Sequence, residues 1–320
     1  MKRRKFISVS ALTLPMIGIF PASLTSIERE QMKQKIEKRA LGKTGEKLSM
    51  IGFGGIVVDK ATAEEAASRV KEAIDHGINY FDVAPSYGNA EEMLGPALKP
   101  YRKEVFLACK TGEREKEGAR RELEQSLKHL ETDHFDLYQF HAVTSLEDVE
   151  TILGPGGAME TFLEAREEGK IRYIGFSAHS VEAALALMDG FDFDTILFPF
   201  NFATWYAGNF GPQVMARAKE KEMGILALKA MAWRPWEEGE ERSNEKTWYK
   251  PLPTREEAGQ GLRFTLSHPV TAAIPPGHED LFSMALELAK DFQPMDEKEI
   301  NAIKEKAMKT TPLFSYPMHS

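Results

Sequence analysis

Between Ser49 and about residue 291, short apolar runs that suit buried strands alternate with longer amphipathic runs that suit helices, eight times over. Strands are expected at Ser49–Gly54, Asn79–Ala84, Val105–Lys110, Asp136–His141, Ile171–Ser177, Thr195–Phe200, Ile225–Ala230 and Thr271–Pro275. Helices are expected over 62–76, 90–98, 117–130, 159–168, 181–188, 212–222, 255–267 and 279–291. Strands separated by helices pair in parallel through right-handed crossovers. A closed barrel and an open doubly wound sheet both satisfy that rule. The open sheet normally carries a glycine-rich phosphate loop after its first strand. Here Gly52, Gly54 and Gly55 fail the spacing, because Val57 stands three residues after Gly54. The expected fold is therefore α/β, a (β/α)8 TIM barrel with an N-terminal hairpin turning at Lys43–Glu46 and a C-terminal tail.

The chain ahead of the barrel has a different character. Residues 1–24, MKRRKFISVSALTLPMIGIFPASL, set a basic segment before an apolar stretch from Ile7 to Phe20 that Pro15 and Gly18 interrupt. That stretch is shorter than a bilayer span and reads as an export signal. Arg3-Arg4 followed by Lys5-Phe6-Ile7 resembles a twin-arginine signal. The expected divisions are an export signal over 1–24, a linker over 25–37, the barrel over 38–292 and a C-terminal extension over 293–320. The expected location is periplasmic or membrane-tethered, with membrane contact through the N-terminal segment; a cytoplasmic chain with a membrane-touching tail is the alternative. With 41 basic against 49 acidic side chains the net charge is -8, which provides no basic field for nucleic acid. Cys109 is the single cysteine, so no internal disulfide and no cysteine-ligated cluster can form, and no metal site is expected.

Chemistry-bearing residues gather at strand ends. Asp82, Lys110 and His141 terminate three successive strands, and Tyr87 follows the first of them in the stretch GINYFDVAPSYGNAEEMLG, where Asn89 is the expected cap of the next helix. In a barrel, such ends converge on one face. Alternation points Lys110 inward with Ala108 and Phe106 and leaves Cys109 facing the helices as packing. Any one of these polar residues alone would pass for a strand-end cap or a solvated rim residue. Together they form a proton donor with its tuning groups. A lysine ammonium beside a tyrosine favours the phenolate and lowers its pKa from about 10. Asp82 would keep that lysine charged, and His141 would orient a carbonyl oxygen. The set suits protonation of a carbonyl oxygen while hydride reaches its carbon.

These motifs resemble the aldo-keto reductase family, whose Asp-Tyr-Lys-His tetrad matches Asp82, Tyr87, Lys110 and His141 in order and in strand context. The resemblance covers about residues 38–290 and includes RALGKTGEKLSMIGFGG, DLYQFH and GKIRYIGFS. It implies a barrel that binds NADP or NAD without a Rossmann domain and reduces a small-molecule aldehyde or ketone. By the same resemblance Ser177 would meet the nicotinamide amide, with Ala178 in place of the usual asparagine and Leu197 in place of a glutamine. His179 or Asn201 would compensate, Lys229 would face the cofactor or substrate, and Gly277 would approach a phosphate through its backbone. The Lys-Ser and arginine that bind an adenosine 2′-phosphate are replaced by Pro276, Gly277 and Phe282, so NADPH preference loses its usual basis. Trp205, Trp233, Trp236 and Trp248 all fall in the loops after strands six and seven, where they would form an aromatic wall over the site or merely pack those loops. The acidic run Glu237–Glu241 reads as a solvated tip. Two other functions are weighed: a non-catalytic nicotinamide-binding barrel acting as a sensor or accessory subunit, and a Schiff-base lyase using Lys110, which Asp82 opposes by holding that lysine charged.

Overall fold

The structure, a computed structural model, describes residues 35–242 and 245–317. The expected export signal, and the expected linker as far as Gln34, lie outside the described residues. Strands β1 (Lys38–Ala40) and β2 (Lys47–Ser49) pair antiparallel as the expected hairpin. The barrel strands are β3 (Phe53–Gly54), β4 (Tyr80–Asp82), β5 (Phe106–Thr111), β6 (Phe135–Val143), β7 (Ile171–Ala178), β8 (Thr195–Pro199), β9 (Gly224–Leu228) and β12 (Ala272–Ile274). Every neighbouring pair in that series is parallel. The first and last strands meet through a parallel bridge between Ile51 and Ala273. Gly52 N–H donates to the Ala273 carbonyl (3.0 Å) and Ala273 N–H to that of Met50 (2.9 Å), which closes the (β/α)8 barrel. The closed form wins over the open sheet because both edges find a partner.

Helices α1 (Ala63–Asp75), α2 (Ala90–Leu98) and α3 (Lys116–His129) wrap the first strands, and α4 (Leu146–Leu153), α5 (Ala158–Glu167) and α6 (Val181–Gly190) the next. The circuit continues with α7 (Phe202–Tyr206), α8 (Pro212–Glu220), α9 (Arg255–Leu266) and α10 (Glu279–Lys290). Their starts follow local chemistry. Thr62 and Glu65 form a capping box on α1, a device that contributes about 1 kcal/mol. Asn89 stands at the start of α2 without capping it; its Oδ1 accepts instead from Lys60 N–H at 2.8 Å, tying two loops above the barrel together. Gly95 lets α2 approach the end of α3, since a Cβ there would lie 2.6 Å from the His129 carbonyl oxygen.

Several elements depart from the sequence reading. The segments 146–153 and 202–206 are helical, and the loop after β9 folds into an antiparallel hairpin of β10 (Ala232–Pro235) and β11 (Tyr249–Pro251). The C-terminal segment carries helix α11 (Glu297–Ala307), capped by Asp296 with Glu299. Pro294 and Pro312 bound that helix within the expected C-terminal tail.

The core is layered as a barrel requires. Tyr80, Phe106, Ala108, Leu137, Leu197, Leu226, Ala272 and Ile274 form a buried cluster inside the strands. A larger cluster lies between strands and helices and takes up Cys109, Tyr138 and Phe140. Each large side chain so buried stabilises the fold by about 1.5–3 kcal/mol. Adjacent residues of β5 thus face opposite layers, and Lys110 is left at the upper end of the inner one.

Candidate active site

Parallel register brings the strand ends level. Asp82 pairs across from Ala108, and Lys110 from Gln139. Lys110 Nζ reaches Asp82 Oδ2 in a short ion pair, with side-chain exposures of only 1% and 2%. The same nitrogen donates to the Val83 carbonyl and to the Tyr87 hydroxyl oxygen, each at 3.3 Å. Burial works against the charge on this lysine, but Asp82, with help from Tyr87, outweighs it and holds the ammonium above the ordinary lysine range. Asp82 is itself held by Gln139 Nε2 at 2.9 Å and by the Tyr80 hydroxyl at 3.4 Å. Sequence reasoning missed both of those supports. Gln139 is two residues before His141 on one strand face, so alternation could have found it.

The strand becomes irregular next to His141. The β6–β7 register shifts between Phe140 and Val143, and Ala142 adopts φ 50°. Ala142 N–H donates to Ser177 Oγ at 2.7 Å, which pins the bulge. The imidazole then stands edge-on to the Tyr87 ring at 5.6 Å, with Nδ1 3.3 Å from Ser86 Oγ. Burial, reinforced by the Lys110 charge, lowers its pKa to about 3, so it is neutral at ordinary pH. Tyr87 responds oppositely to the sequence expectation. Burial raises its pKa, and Lys110 only offsets part of that rise, so the phenol keeps its proton at neutral pH.

Asp82, Tyr87, Lys110, His141, Ser177, His179, Lys229 and Gly277 all line one cavity of about 200 Å³ at the C-terminal ends of the strands. Of the sequence-selected residues only Asn201 is absent from its wall. Its side chain is fully buried as the cap of α7: Oδ1 accepts from Thr204 N–H at 2.9 Å, and Nδ2 lies 3.3 Å from the carbonyls of Lys229 and Ala232. With donors and acceptor engaged inside the protein, Asn201 has nothing left for a ligand. His179 packs against Phe314 of the C-terminal segment, 5.2 Å between ring centres, and burial lowers its pKa to about 4.

The aromatic wall is narrower than expected. Trp248 alone among the four tryptophans lines the cavity, whereas Trp205 packs on Phe264 and His268. Trp233 and Trp236 lie under Lys250 in the β10–β11 hairpin. Glu240, expected in a solvated tip, pairs with Arg234 and Lys250 and staples that hairpin. Phe282 stands 5.0 Å edge-on from Phe53 in the core.

A dinucleotide's requirements can be set against this wall. Ser177 supplies a hydroxyl and Lys229 an ammonium, while Leu197, Leu228 and Ile274 supply apolar surface. A Cβ on Gly277 would come within 2.3 Å of Ile56 Cγ2, so glycine preserves the close packing of that wall. Donors and apolar surface of this kind fit a nicotinamide dinucleotide.

Fold and site together define a (β/α)8 barrel whose polar groups gather at the C-terminal ends of the strands. Residues 50–251 match the Aldo/keto reductase family model, more than half of the chain, and the protein belongs to that family. It is 34% identical over 173 residues to an L-galactose dehydrogenase of Arabidopsis thaliana, covering 48% of this chain and 52% of the relative. It is 31% identical over 210 residues to the aldo-keto reductase YhdN of Bacillus subtilis (strain 168), covering 60% and 61% respectively. The matches thus span about half to three-fifths of those relatives' length. The holo form of a Bacillus halodurans aldo-keto reductase superposes with a TM-score of 0.69 at 24% identity, over 89% of this chain and 99% of that one, and shows the same fold.

The buried pair makes a stability prediction. Lys110→Met alone leaves Asp82 charged and uncompensated and should destabilise the fold by about 3–5 kcal/mol, whereas the double variant Lys110→Met/Asp82→Leu should recover most of that loss. Urea unfolding of the single and double variants measures it, and additive losses would contradict the coupling.

Proposed function

We propose that this chain is an NAD(P)H-dependent reductase of small aldehydes or ketones, with Tyr87 as proton donor. One hydrogen bond carries the reading. Lys110 donates to the Tyr87 oxygen, so the phenol's own proton is directed away from Lys110 and is free for a ligand in the cavity. As that proton leaves, the Lys110 ammonium stabilises the phenolate, and Asp82 keeps the ammonium in place. Neutral His141 can donate an N–H to the same substrate oxygen without adding a charge that would compete with Lys110.

When bound, the reduced nicotinamide supplies hydride to the carbonyl carbon. Ser177 and His179 would hold its amide end, with Lys229 and Gly277 along the remaining wall. Either phosphorylation state of the dinucleotide falls within the proposal. The first turn of α10 carries Glu279 and Asp280, and the nearby cations Arg69 and Lys246 pair with Glu279 at 3.5 and 3.6 Å. Family membership and the names of the relatives support this chemistry over a non-catalytic barrel. The test is titration of NADH and NADPH by fluorescence, followed by cofactor oxidation with a panel of aldehydes and ketones. Tyr87→Phe should bind cofactor and lose about 100- to 10,000-fold in kcat. Turnover that survives the substitution would sink the assigned role.

We also propose export through residues 1–24, ahead of a linker over 25–37, with residues 293–320 as an extension of the barrel. The basic start with Arg3-Arg4 supports this. Membrane contact in this reading belongs to the N-terminal segment; among the described residues no helix is long and apolar enough to cross a membrane. Cell fractionation of the Arg3→Lys/Arg4→Lys variant should show precursor retained inside the cell; unchanged export would remove the twin-arginine assignment.

A further inference from the structure

The role given to Tyr87 depends on a contact of 3.3 Å between its oxygen and Lys110 Nζ. Lys110 is carried by a barrel strand, whereas Tyr87 stands in the loop that joins β4 to α2. Bonds within that loop set its shape. Tyr87 N–H donates to the Ala84 carbonyl at 3.0 Å, and Ala90 N–H donates to the Tyr87 carbonyl at 3.1 Å. Bonds between such near neighbours do not fix where the loop as a whole sits over the barrel. That takes a tie to another element.

Asn89 supplies one. It occupies the N-cap position of α2, where an asparagine ordinarily accepts from an amide of its own helix. Here no such bond forms. Its Oδ1 accepts instead from Lys60 N–H at 2.8 Å, across 29 positions of chain. A local preference given up for a long-range bond marks a place where something other than helix stability is served. Asn89 is also absent from the cavity wall, so it acts on the site only through its neighbours.

The Lys60 side is shaped to meet it. After the 3-10 turn Gly55–Val58, Asp59 N–H donates to the Ile56 carbonyl at 3.0 Å and Ala61 N–H to the Val58 carbonyl at 3.2 Å. Lys60, between them, adopts φ 58°, a left-handed conformation uncommon for a residue with a long side chain. Its amide takes no part in those turn bonds and is the one that Asn89 holds. Gly88 completes the junction. At φ 60° it passes so close to Asp59 that a Cβ would lie 2.1 Å from Asp59 Oδ1. The two residues that follow Tyr87 are thus the two that meet the Asp59–Lys60 turn, while the residue before it, Ser86, lies 3.3 Å from His141 Nδ1 within the site.

We propose that Asn89 is a positioning residue for Tyr87: by holding the Lys60 amide, its side-chain carbonyl fixes the loop so that the Tyr87 oxygen stays within hydrogen-bond reach of Lys110. Its effect on turnover rests on the reductase reading; the placement of the loop does not. The bond lies near the surface, where one hydrogen bond contributes little to stability, so its loss leaves the barrel folded.

The first measurement needs neither cofactor nor substrate. In full-length protein labelled with carbon-13 at tyrosine Cζ, the Tyr87 pKa should rise in Asn89→Ala toward its value in Lys110→Met, because a displaced loop loses the relief that Lys110 provides. Asn89→Asp keeps an oxygen for the Lys60 amide and should stay close to wild type. A Tyr87 pKa that is unchanged or lowered in Asn89→Ala would overturn the proposal, as would an equal rise in Asn89→Asp. Kinetics read the consequence. Asn89→Ala should lower kcat by about 10- to 100-fold, with KM and dinucleotide affinity changed by less than about 3-fold, and Asn89→Asp should recover most of the rate. Wild-type kcat in Asn89→Ala, or a loss confined to KM, would overturn the proposal. A wild-type protein that turns over no carbonyl would count against the reductase reading and leave the NMR result to decide the placement.

Discussion

A lysine ammonium buried among strand ends persists only if acceptors surround it, and much of this site follows from meeting that demand for Lys110. An unpaired ion in such a place would cost several kcal/mol. Asp82, the Val83 carbonyl and Tyr87 meet the demand from the adjacent strand and its loop. Asp82 must in turn be oriented, which Gln139 and Tyr80 do from inside the barrel. The chain that follows Asp82 can then place Tyr87 only where its oxygen accepts from the same nitrogen. Structural necessity and proposed chemistry meet at one nitrogen: the ammonium that Asp82 holds charged also donates to the hydroxyl whose proton is to be donated.

That arrangement sets the charge state of its surroundings. The retained Lys110 charge and desolvation together keep His141 neutral and lower Lys229. Tyr87 feels opposed effects, and burial prevails over Lys110. A protonated tyrosine beside a fixed ammonium and a neutral imidazole is the combination that donation to a carbonyl oxygen requires at neutral pH. The same cavity carries more positive than negative side chains, and its far side is shaped by Trp248 and, through His179, by Phe314.

The fold was legible because its signal is periodic: eight strands with helices between them admit few topologies, and a failed glycine spacing removes the main rival. Asp82, Lys110 and His141 were legible for a related reason, since each lies at or near the end of its strand and parallel register levels the ends. What the sequence concealed depends on backbone geometry and on competing partners. Asn201 looked available until the α7 cap and the Lys229 carbonyl were seen to occupy its amide. Nothing in DLYQFHAV announces the bulge at Ala142 that follows His141 and engages Ser177. The tryptophans were grouped by loop, but loop membership does not say which ring faces the cavity, and only Trp248 does. For Tyr87 the direction of the pKa shift was misjudged, because Lys110's proximity can be inferred from spacing whereas the extent of burial cannot.

The central claim is that Lys110 donates to the Tyr87 oxygen and partly relieves the penalty burial places on its ionisation. Carbon-13 NMR of protein labelled at tyrosine Cζ, with the Tyr87 signal assigned from the Tyr87→Phe spectrum, tests this directly. Tyr87 should remain protonated through neutral pH in the wild type, and its pKa should rise further in Lys110→Met. A Tyr87 pKa that is unchanged or lowered by Lys110→Met would contradict the account.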